Sequence, residues 1–180
     1  MDGILIINKP KGITSHDVVN IVRRRFNIRK VGHAGTLDPM ATGVLVLLIG
    51  KATKLFNTFM SGDKEYIAKV FLGSSTDTQD ATGNTIEEKP VNGLDLSAIK
   101  DALNTFIGEI DQIPPMVSAK KYKGRKLYEL ARKGKTIPRK PSRIKIYEVE
   151  LLGFRSPEVT FRVRCSKGTY VWTLCEDIGR

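Results

Sequence analysis

The 180-residue chain has the composition of a folded soluble protein, with 41% hydrophobic and 27% charged residues. This length fits one domain, and the mixture excludes a disordered chain. The longest apolar run, residues 44–49, has the length of a strand and is too short for a membrane helix. The N-terminus lacks the basic region of a secretory signal sequence. These features predict a cytoplasmic protein with no membrane partner.

The net charge of +11 is concentrated in one segment. Between Lys120 and Lys145 there are twelve Lys and Arg residues and one acid, Glu129, whereas the rest of the chain carries 18 residues of each sign. Clustered cations suit a polyanion, because binding releases counterions from its phosphates. A solvated tail is the alternative for such a run. Leu127 and Leu130, at helical spacing, favour a structured element that docks on a nucleic acid.

In chain order, the hydrophobic pattern predicts more strands than helices. Thr14 is a candidate N-cap of the first helix, and Asp17 suits that helix's positive end. The uniformly apolar strand 44–49 is predicted to be central in its sheet. The fold class is therefore α+β, with a mixed, largely antiparallel central sheet and flanking helices. The predicted elements are strand 3–7, helix 15–26, strand 44–49, helix 53–60, strand 65–72, helix 96–106, a hairpin of strands 144–154 and 158–165, and a closing segment 168–178.

The most informative stretch is residues 32–43 (GHAGTLDPMATG), between a basic helix and the buried strand. Its glycines permit close backbone approach, and the Asp38-Pro39 step holds the backbone of the acid extended. A carboxylate at the mouth of a central strand suits catalysis. The alternative is an aspartate that only caps a turn.

This stretch closely resembles the catalytic signature of the TruB family of tRNA pseudouridine synthases. Five further motifs resemble the same family and occur in the family's order. They are residues 8–15 (NKPKGITS), 63–66 (DKEY), 76–83 (TDTQDATG), 112–124 (QIPPMVSAKKYKG) and 165–170 (CSKGTY). Each motif alone is unspecific, but six in order over nearly the whole chain are highly specific.

The resemblance implies isomerisation of uridine to pseudouridine in the T loop of tRNA, at the position conventionally numbered 55. The N-glycosidic bond breaks, the uracil turns, and C5 joins the ribose, so neither a cofactor nor a metal is needed. The sequence agrees, because it has no dinucleotide or phosphate-binding glycine loop. Its only histidines are His16 and His33, and its two cysteines lack the Cys-x-x-Cys spacing of a zinc site.

Residue roles follow from the same resemblance. Asp38 matches the family's essential carboxylate, which acts as nucleophile or base. Tyr66 matches the tyrosine that stacks on the target base, and Tyr170 matches a second tyrosine of the pocket. His33 matches a residue that enters the T loop as bases are extruded. Without the motifs, Tyr66 and Tyr170 would be interpreted as core aromatics and His33 as a surface group.

The basic segment coincides with the family's thumb-like insertion, approximately residues 114–145, which closes over the RNA. The resemblance implies phosphate contacts for Lys120, Lys121, Lys123, Arg125 and Lys126. It also implies one catalytic domain over residues 1–180, incomplete at its C-terminus and without the family's RNA-binding PUA domain. The expected partner is the T-arm stem-loop of tRNA, bound by a monomer.

One position departs from the family pattern. After Gly-Thr-Tyr-Val the family has an arginine that pairs with the catalytic aspartate, whereas this chain has Trp172, its only tryptophan. An indole cannot pair with a carboxylate, so we expect a raised pKa at Asp38 and a loss of its orientation. Reduced or absent turnover with largely retained RNA binding is the expected consequence.

Two other functions remain open from the sequence. One is a related enzyme acting on a different RNA, such as a guide-dependent pseudouridine synthase, which shares the aspartate motif. The other is a non-catalytic RNA-binding or RNA-chaperone module, for which the basic segment alone would suffice.

Overall fold

The fold is taken from a computed structural model that describes residues 1–116, 118, 120–122, 124–131, 134 and 137–180, with only the backbone described at 121, 126 and 128. The chain divides into two compact units, Met1–Gly62 and Asp63–Arg180. The assignment of all 180 residues to one catalytic domain stays a prediction.

The first unit is a three-stranded antiparallel sheet covered by a helix. Its strands are β1 (Gly3–Lys9), β2 (Val31–His33) and β3 (Gly43–Ile49), in the order β1-β3-β2, so the prediction of a central apolar strand is confirmed. Thr14 caps helix α1 (Ser15–Phe26), as predicted, and Asp17 completes a capping box that was not predicted. A 3₁₀ helix (Gly50–Leu55) and helix α2 (Phe56–Ser61) complete the unit.

The core of the first unit follows from the period of each element. Helix α1 buries Val18, Val19 and Val22, which lie on one face because Val22 is four residues from Val18 and three from Val19. They pack in one cluster with Leu45 and Leu47, two alternate residues of β3 that are almost fully buried. The loop that joins β2 to β3 begins and ends at this packed sheet.

The second unit is built on a four-stranded antiparallel sheet, in the order β4-β11-β10-β7. Helices α3 (Leu96–Asn104) and α5 (Val171–Ile178) contribute Ile99, Leu103 and Leu174 to its core. The strands of this sheet are β4 (Lys64–Phe71), β7 (Gly108–Gln112), β10 (Ser142–Arg155) and β11 (Glu158–Cys165).

Two short hairpins complete the second unit. Strands β5 (Ser74–Thr76) and β6 (Thr85–Glu88) flank the loop of the 76–83 motif. Strands β8 (Lys121–Tyr122) and β9 (Arg125–Lys126) pair within the basic segment and are followed by helix α4 (Leu127–Ala131). Leu127 and Leu130 are buried, which confirms a structured element there.

The α+β class with antiparallel sheet is confirmed, since all strand pairings among the described residues are antiparallel. The predicted 144–154 and 158–165 hairpin is also confirmed as β10 and β11. Strands β2, β5, β6, β7, β8 and β9 were not predicted. The expected helix 53–60 was wrong in form, because the chain makes a 3₁₀ helix and a separate short α-helix there.

Candidate active site

Asp38 lies in the loop that joins β2 to β3 in the first unit. The loop leaves the sheet through a backbone hydrogen bond from Ala34 N–H to Val46 O, 2.8 Å long. Asp38 then opens a turn in which Ala41 N–H donates to Asp38 O at 3.0 Å, with Pro39 in the second position that proline favours. The backbone at Gly35 has φ 128°, which disfavours any residue with a Cβ. Asp38 is thus both the first residue of a turn and a half-buried acidic residue.

Ser15 fixes the residue before Asp38. Its buried hydroxyl accepts from Leu37 N–H and donates to Leu37 O, both at 2.9 Å. Ser15 is the first residue of α1, so the helix and the loop are joined directly at the backbone of Leu37. This contact gives the 8–15 motif a physical role, which is to hold the carboxylate loop.

Lys9 fixes the residue after Asp38. It is completely buried, and its Nζ donates to Pro10 O at 2.9 Å, Ile13 O at 2.8 Å and Pro39 O at 3.4 Å. The sequence interpretation missed this role. The signal was available, since Lys9 continues the inward-facing alternation of Leu5 and Ile7 along β1.

His33 ends β2 and faces the start of the same loop. Its Nδ1 lies 2.6 Å from Gly35 O. A carbonyl oxygen can only accept, so Nδ1 carries the proton, and Nε2 of a neutral ring is left as an acceptor. The half-buried ring is therefore held in one orientation.

The second unit carries the two predicted pocket tyrosines on elements that pack together. Tyr66 lies on β4, on the inward-facing side with Ala68 and Val70, and packs half-buried against the core. Tyr170 is the N-cap residue of α5, and α5 packs on β4. Tyr66 thus lies on β4, and Tyr170 lies at the start of the helix that packs on that strand.

Trp172 lies in the first turn of α5, close to Tyr170. The two ring centroids are 5.8 Å apart, and the ring planes are inclined by 44°. The indole Nε1 is buried and has no hydrogen-bond partner in the described part of the chain. An unpaired buried donor carries a desolvation cost, so the indole is an imperfect fit at this position.

Two of the five predicted phosphate-binding side chains are described by the structure, and both are exposed. Lys120 donates to Ser142 Oγ at 2.6 Å, and Arg125 lies on β9. Lys121 and Lys126 are paired residues in the β8–β9 ladder, and the structure describes only their backbones. Lys123 lies outside the described residues.

Outside the basic segment the chain is neutral as a whole, but its positive and negative residues are unevenly distributed along the sequence. Residues 1–62 contain nine Lys and Arg residues against three acids. At the end of α1 and in the approach to β2, four exposed cations form no ion pair within the described ranges: Arg24, Arg25, Arg29 and Lys30. A second concentration of positive charge therefore precedes the Asp38 loop.

The cysteines and the acidic groups offer little other chemistry. Burial raises the pKa of the Cys165 thiol and raises that of Cys175 to about 12, so both are protonated at neutral pH. Across the described residues, no three His, Cys, Asp or Glu side chains are grouped as metal ligands would be. None of the described helices is both long enough and apolar enough to span a bilayer.

The family model for the N-terminal domain of TruB family pseudouridylate synthases matches residues 23–171. The chain belongs to the TruB family. The match contains the Asp38 loop, Tyr66 and Tyr170, and it ends one residue before Trp172.

Curated relatives of this TruB family chain are similar over almost all of its length. The tRNA pseudouridine synthase B of Syntrophotalea carbinolica is 50% identical over 99% of this chain and 58% of the relative. The protein of the same name from Protochlamydia amoebophila is 48% identical over 99% of this chain and 68% of the relative. The chain thus spans about three fifths to two thirds of these relatives.

Solved structures show the same fold. A crystal structure of a Cbf5-Nop10-Gar1 complex matches with a TM-score of 0.73 and 30% identity, over 98% of this chain and 43% of that chain. The structure of an H/ACA RNP bound to a substrate RNA containing 2′-deoxyuridine matches with a TM-score of 0.69 and 28% identity, over 98% and 42%.

Proposed function

We propose that this chain is the catalytic part of a tRNA pseudouridine synthase that isomerises a uridine in the T loop, at position 55. The observation that carries the proposal is the 48–50% identity to tRNA pseudouridine synthases B along 99% of the chain, which includes the complete Asp38 loop. The reaction breaks the bond between N1 and C1′, forms a bond between C5 and C1′, and moves a proton from C5 to N1 through solvent. It consumes no cofactor and no metal.

Asp38 is the catalytic carboxylate in this proposal, acting as nucleophile or base. Its backbone neighbours, Leu37 and Pro39, are held by the buried side chains of Ser15 and Lys9. A preorganised carboxylate lowers the barrier because its orientation is fixed before the substrate arrives. Tyr66 stacks on the target base, Tyr170 binds beside it, and His33 enters the T loop.

The polyanion is the T-arm stem-loop, bound by a monomer. The basic segment supplies the phosphate contacts of Lys120, Lys121, Lys123, Arg125 and Lys126. Charge supports this assignment, since twelve cations and one acid lie between Lys120 and Lys145. Extruding bases from the T loop costs a few kcal/mol, which stacking and phosphate contacts must offset.

Tritium release from tRNA labelled with [5-³H]uridine tests the proposal, because the new C5 bond expels that hydrogen. We expect release by the wild-type chain or its Trp172→Arg variant, and none by Asp38→Asn, which should retain its affinity for the T arm. Release by the Asp38→Asn variant at the parent rate would overturn the assignment of Asp38.

The two other functions give different outcomes in the same assay. A guide-dependent enzyme would leave free tRNA unmodified, and the identities of 28–30% to the Cbf5 and H/ACA chains support that branch less than the tRNA enzymes. A non-catalytic module would bind the T arm without release from either parent chain. Mapping of the modified nucleotide identifies the substrate position.

A further inference from the structure

Gln112 makes a two-point contact with the backbone of Tyr170. Its side-chain Nε2 donates to Tyr170 O at 3.0 Å, and its Oε1 accepts from Tyr170 N–H at 2.8 Å. The two partners fix the orientation of the amide, because only the nitrogen can donate to a carbonyl. Gln112 is 1% exposed, so water cannot replace either bond.

This contact holds the residue at which helix α5 begins. Tyr170 is the N-cap of α5, and no side chain caps the first turn of that helix. Tyr170 O also accepts the first helical bond, from Leu174 N–H at 3.0 Å. Gln112 therefore holds the peptide groups on both sides of the Tyr170 Cα, and the first helical hydrogen bond holds the second of them as well.

A second glutamine holds the same turn three residues later. Gln79, in the 76–83 loop, has a backbone φ of 65° and accepts from Thr173 Oγ1 at 2.9 Å. Thr173 is buried. The loop is itself fixed, because Asp80 Oδ1 accepts from Thr82 N–H at 2.8 Å and from Thr78 Oγ1 at 2.9 Å.

Gln112 also stands at the base of the basic segment. It is the last residue of β7 and pairs with Ser142, the first residue of β10, so the segment leaves and rejoins the sheet at this pair. Arg139 Nη1 donates to Pro114 O at 3.0 Å, and Lys120 donates to Ser142, which ties the segment at its base. Gln112, the residue at which the chain leaves the sheet toward the basic segment, is thus the one that holds Tyr170.

We propose that Gln112 is a positioning residue for Tyr170, which fixes the tyrosine ring for the target uracil through the two hydrogen bonds to its backbone. The inference rests on the proposed function, in which Tyr170 binds the base. Gln112 touches neither substrate nor reacting atoms in this proposal. It acts through Tyr170 alone.

The test compares Gln112→Ala with Ile99→Ala, a buried change in helix α3 that leaves both hydrogen bonds intact. Kinetics are measured in whichever of the wild-type chain and the Trp172→Arg variant turns over, well below the unfolding temperature. We expect Gln112→Ala to lower kcat by about 10- to 100-fold and to change KM for the T arm by less than about threefold. Ile99→Ala should leave kcat within about threefold of its parent, because its cost falls on stability.

A fluorescence measurement reports on the contact without any catalysis. Trp172 is the only tryptophan and lies 5.8 Å from the Tyr170 ring, so its emission reports on the first turn of α5. In the chain that retains Trp172, we expect Gln112→Ala to increase the quenching of Trp172 by acrylamide, and Ile99→Ala to leave it unchanged. Equal kcat and equal quenching in the two variants would overturn the inference.

The Gln112→Glu variant covers the case in which Gln112→Ala does not fold. A protonated carboxyl can donate to Tyr170 O and accept from Tyr170 N–H, whereas an ionised one can only accept. The ratio of its kcat to that of its parent should therefore rise as the pH is lowered, and a constant ratio would contradict the inference. If neither parent releases tritium, the proposed function fails. The quenching data then still decide whether Gln112 orders the turn.

Discussion

Ser15 and Gln112 perform the same physical task in the two units. Each is a buried polar side chain that both donates to and accepts from the backbone of one residue, Leu37 or Tyr170. Such a contact satisfies two backbone groups at once and holds the peptide groups on both sides of that residue. The backbone beside Asp38 and the backbone of Tyr170 are thus held by side chains that take no part in the proposed reaction.

Ser15→Ala should destabilise the first unit by about 1–3 kcal/mol, because Leu37 N–H and O both lose their partner. Urea denaturation of the variant measures the change. Ser61→Ala is the matched control, since the exposed Ser61 hydroxyl donates only to Thr58 O at the end of α2. That control should change stability by less than about 0.5 kcal/mol. Equal stability of the two variants would show that the Ser15 contact contributes little.

The family resemblance implies that an arginine at position 172 pairs with the catalytic aspartate and orients it, so we expect Trp172→Arg to raise turnover by about tenfold or more. Parallel tritium-release and T-arm binding assays measure the effect. Affinity should stay within about threefold of wild type, because the change leaves the proposed phosphate contacts of the basic segment in place. Equal turnover of the two chains would contradict the expectation.

At the scale of elements, helix α1 has the most complete set of sequence signals. Thr14 Oγ1 accepts from Asp17 N–H at 3.0 Å, and Asp17 Oδ2 accepts from Thr14 N–H at 2.9 Å. The helix ends at Asn27, whose backbone is left-handed with φ 51°. Local chemistry alone defines both ends of this element.

Thr14→Ala should lower the stability of the chain by about 1 kcal/mol at neutral pH. Hydrogen bonds from the side chain and backbone of Thr14 lower the pKa of Asp17 in the folded state. The stabilisation is therefore complete above the ordinary pKa of an aspartate and is lost as the pH falls through the lowered value. The difference between wild type and Thr14→Ala, followed by thermal unfolding at several pH values, should shrink in acid. A difference that stays constant with pH would show that the contribution of the cap does not depend on the ionisation of Asp17.

Elements with strong local signals were predicted, and elements defined by distant partners were not. Helix α1 and strand β3 carry a clear period and clear ends. Strand β2 has three residues and β7 reads GEIDQ, so their pairing with β3 and β10 decides their structure. The positions of Asp38, Tyr66 and Tyr170 came from motifs. Ser15 and Gln112 support them through contacts that no sequence spacing reveals, whereas the support from Lys9 could have been predicted from its inward-facing place on β1.

At the scale of the whole molecule, positive charge has two centres. One is the basic segment, and the other is the first unit, with nine cations against three acids. Arg143 of the basic segment is already paired with Glu109 and Asp111, whereas Arg24 and Arg25 at the end of α1 have no such partner among the described residues. We expect the cations of the first unit to contribute to the affinity for RNA.

The double variant Arg24→Gln/Arg25→Gln should weaken T-arm binding and reduce the slope of log Kd against log salt by about 1 for each phosphate that is no longer neutralised. Filter binding over a range of salt concentrations measures both quantities. Lys69→Gln/Lys89→Gln is the matched control, because it removes the same charge from exposed side chains that already pair with Glu158 and Glu87. An identical slope for the two double variants would exclude α1 from the RNA interface.

The pairing of Gln112 with Ser142 also bears on how such a protein can be rebuilt. The backbone enters and leaves the basic segment at two residues that already face each other across a β ladder. Closing a hairpin there needs only a short turn, and loop length changes closure entropy slowly. Residues 113–141 are therefore a module in the topological sense. We therefore expect the β7–β10 pairing to tolerate shortened, exchanged or lengthened segments between these two residues.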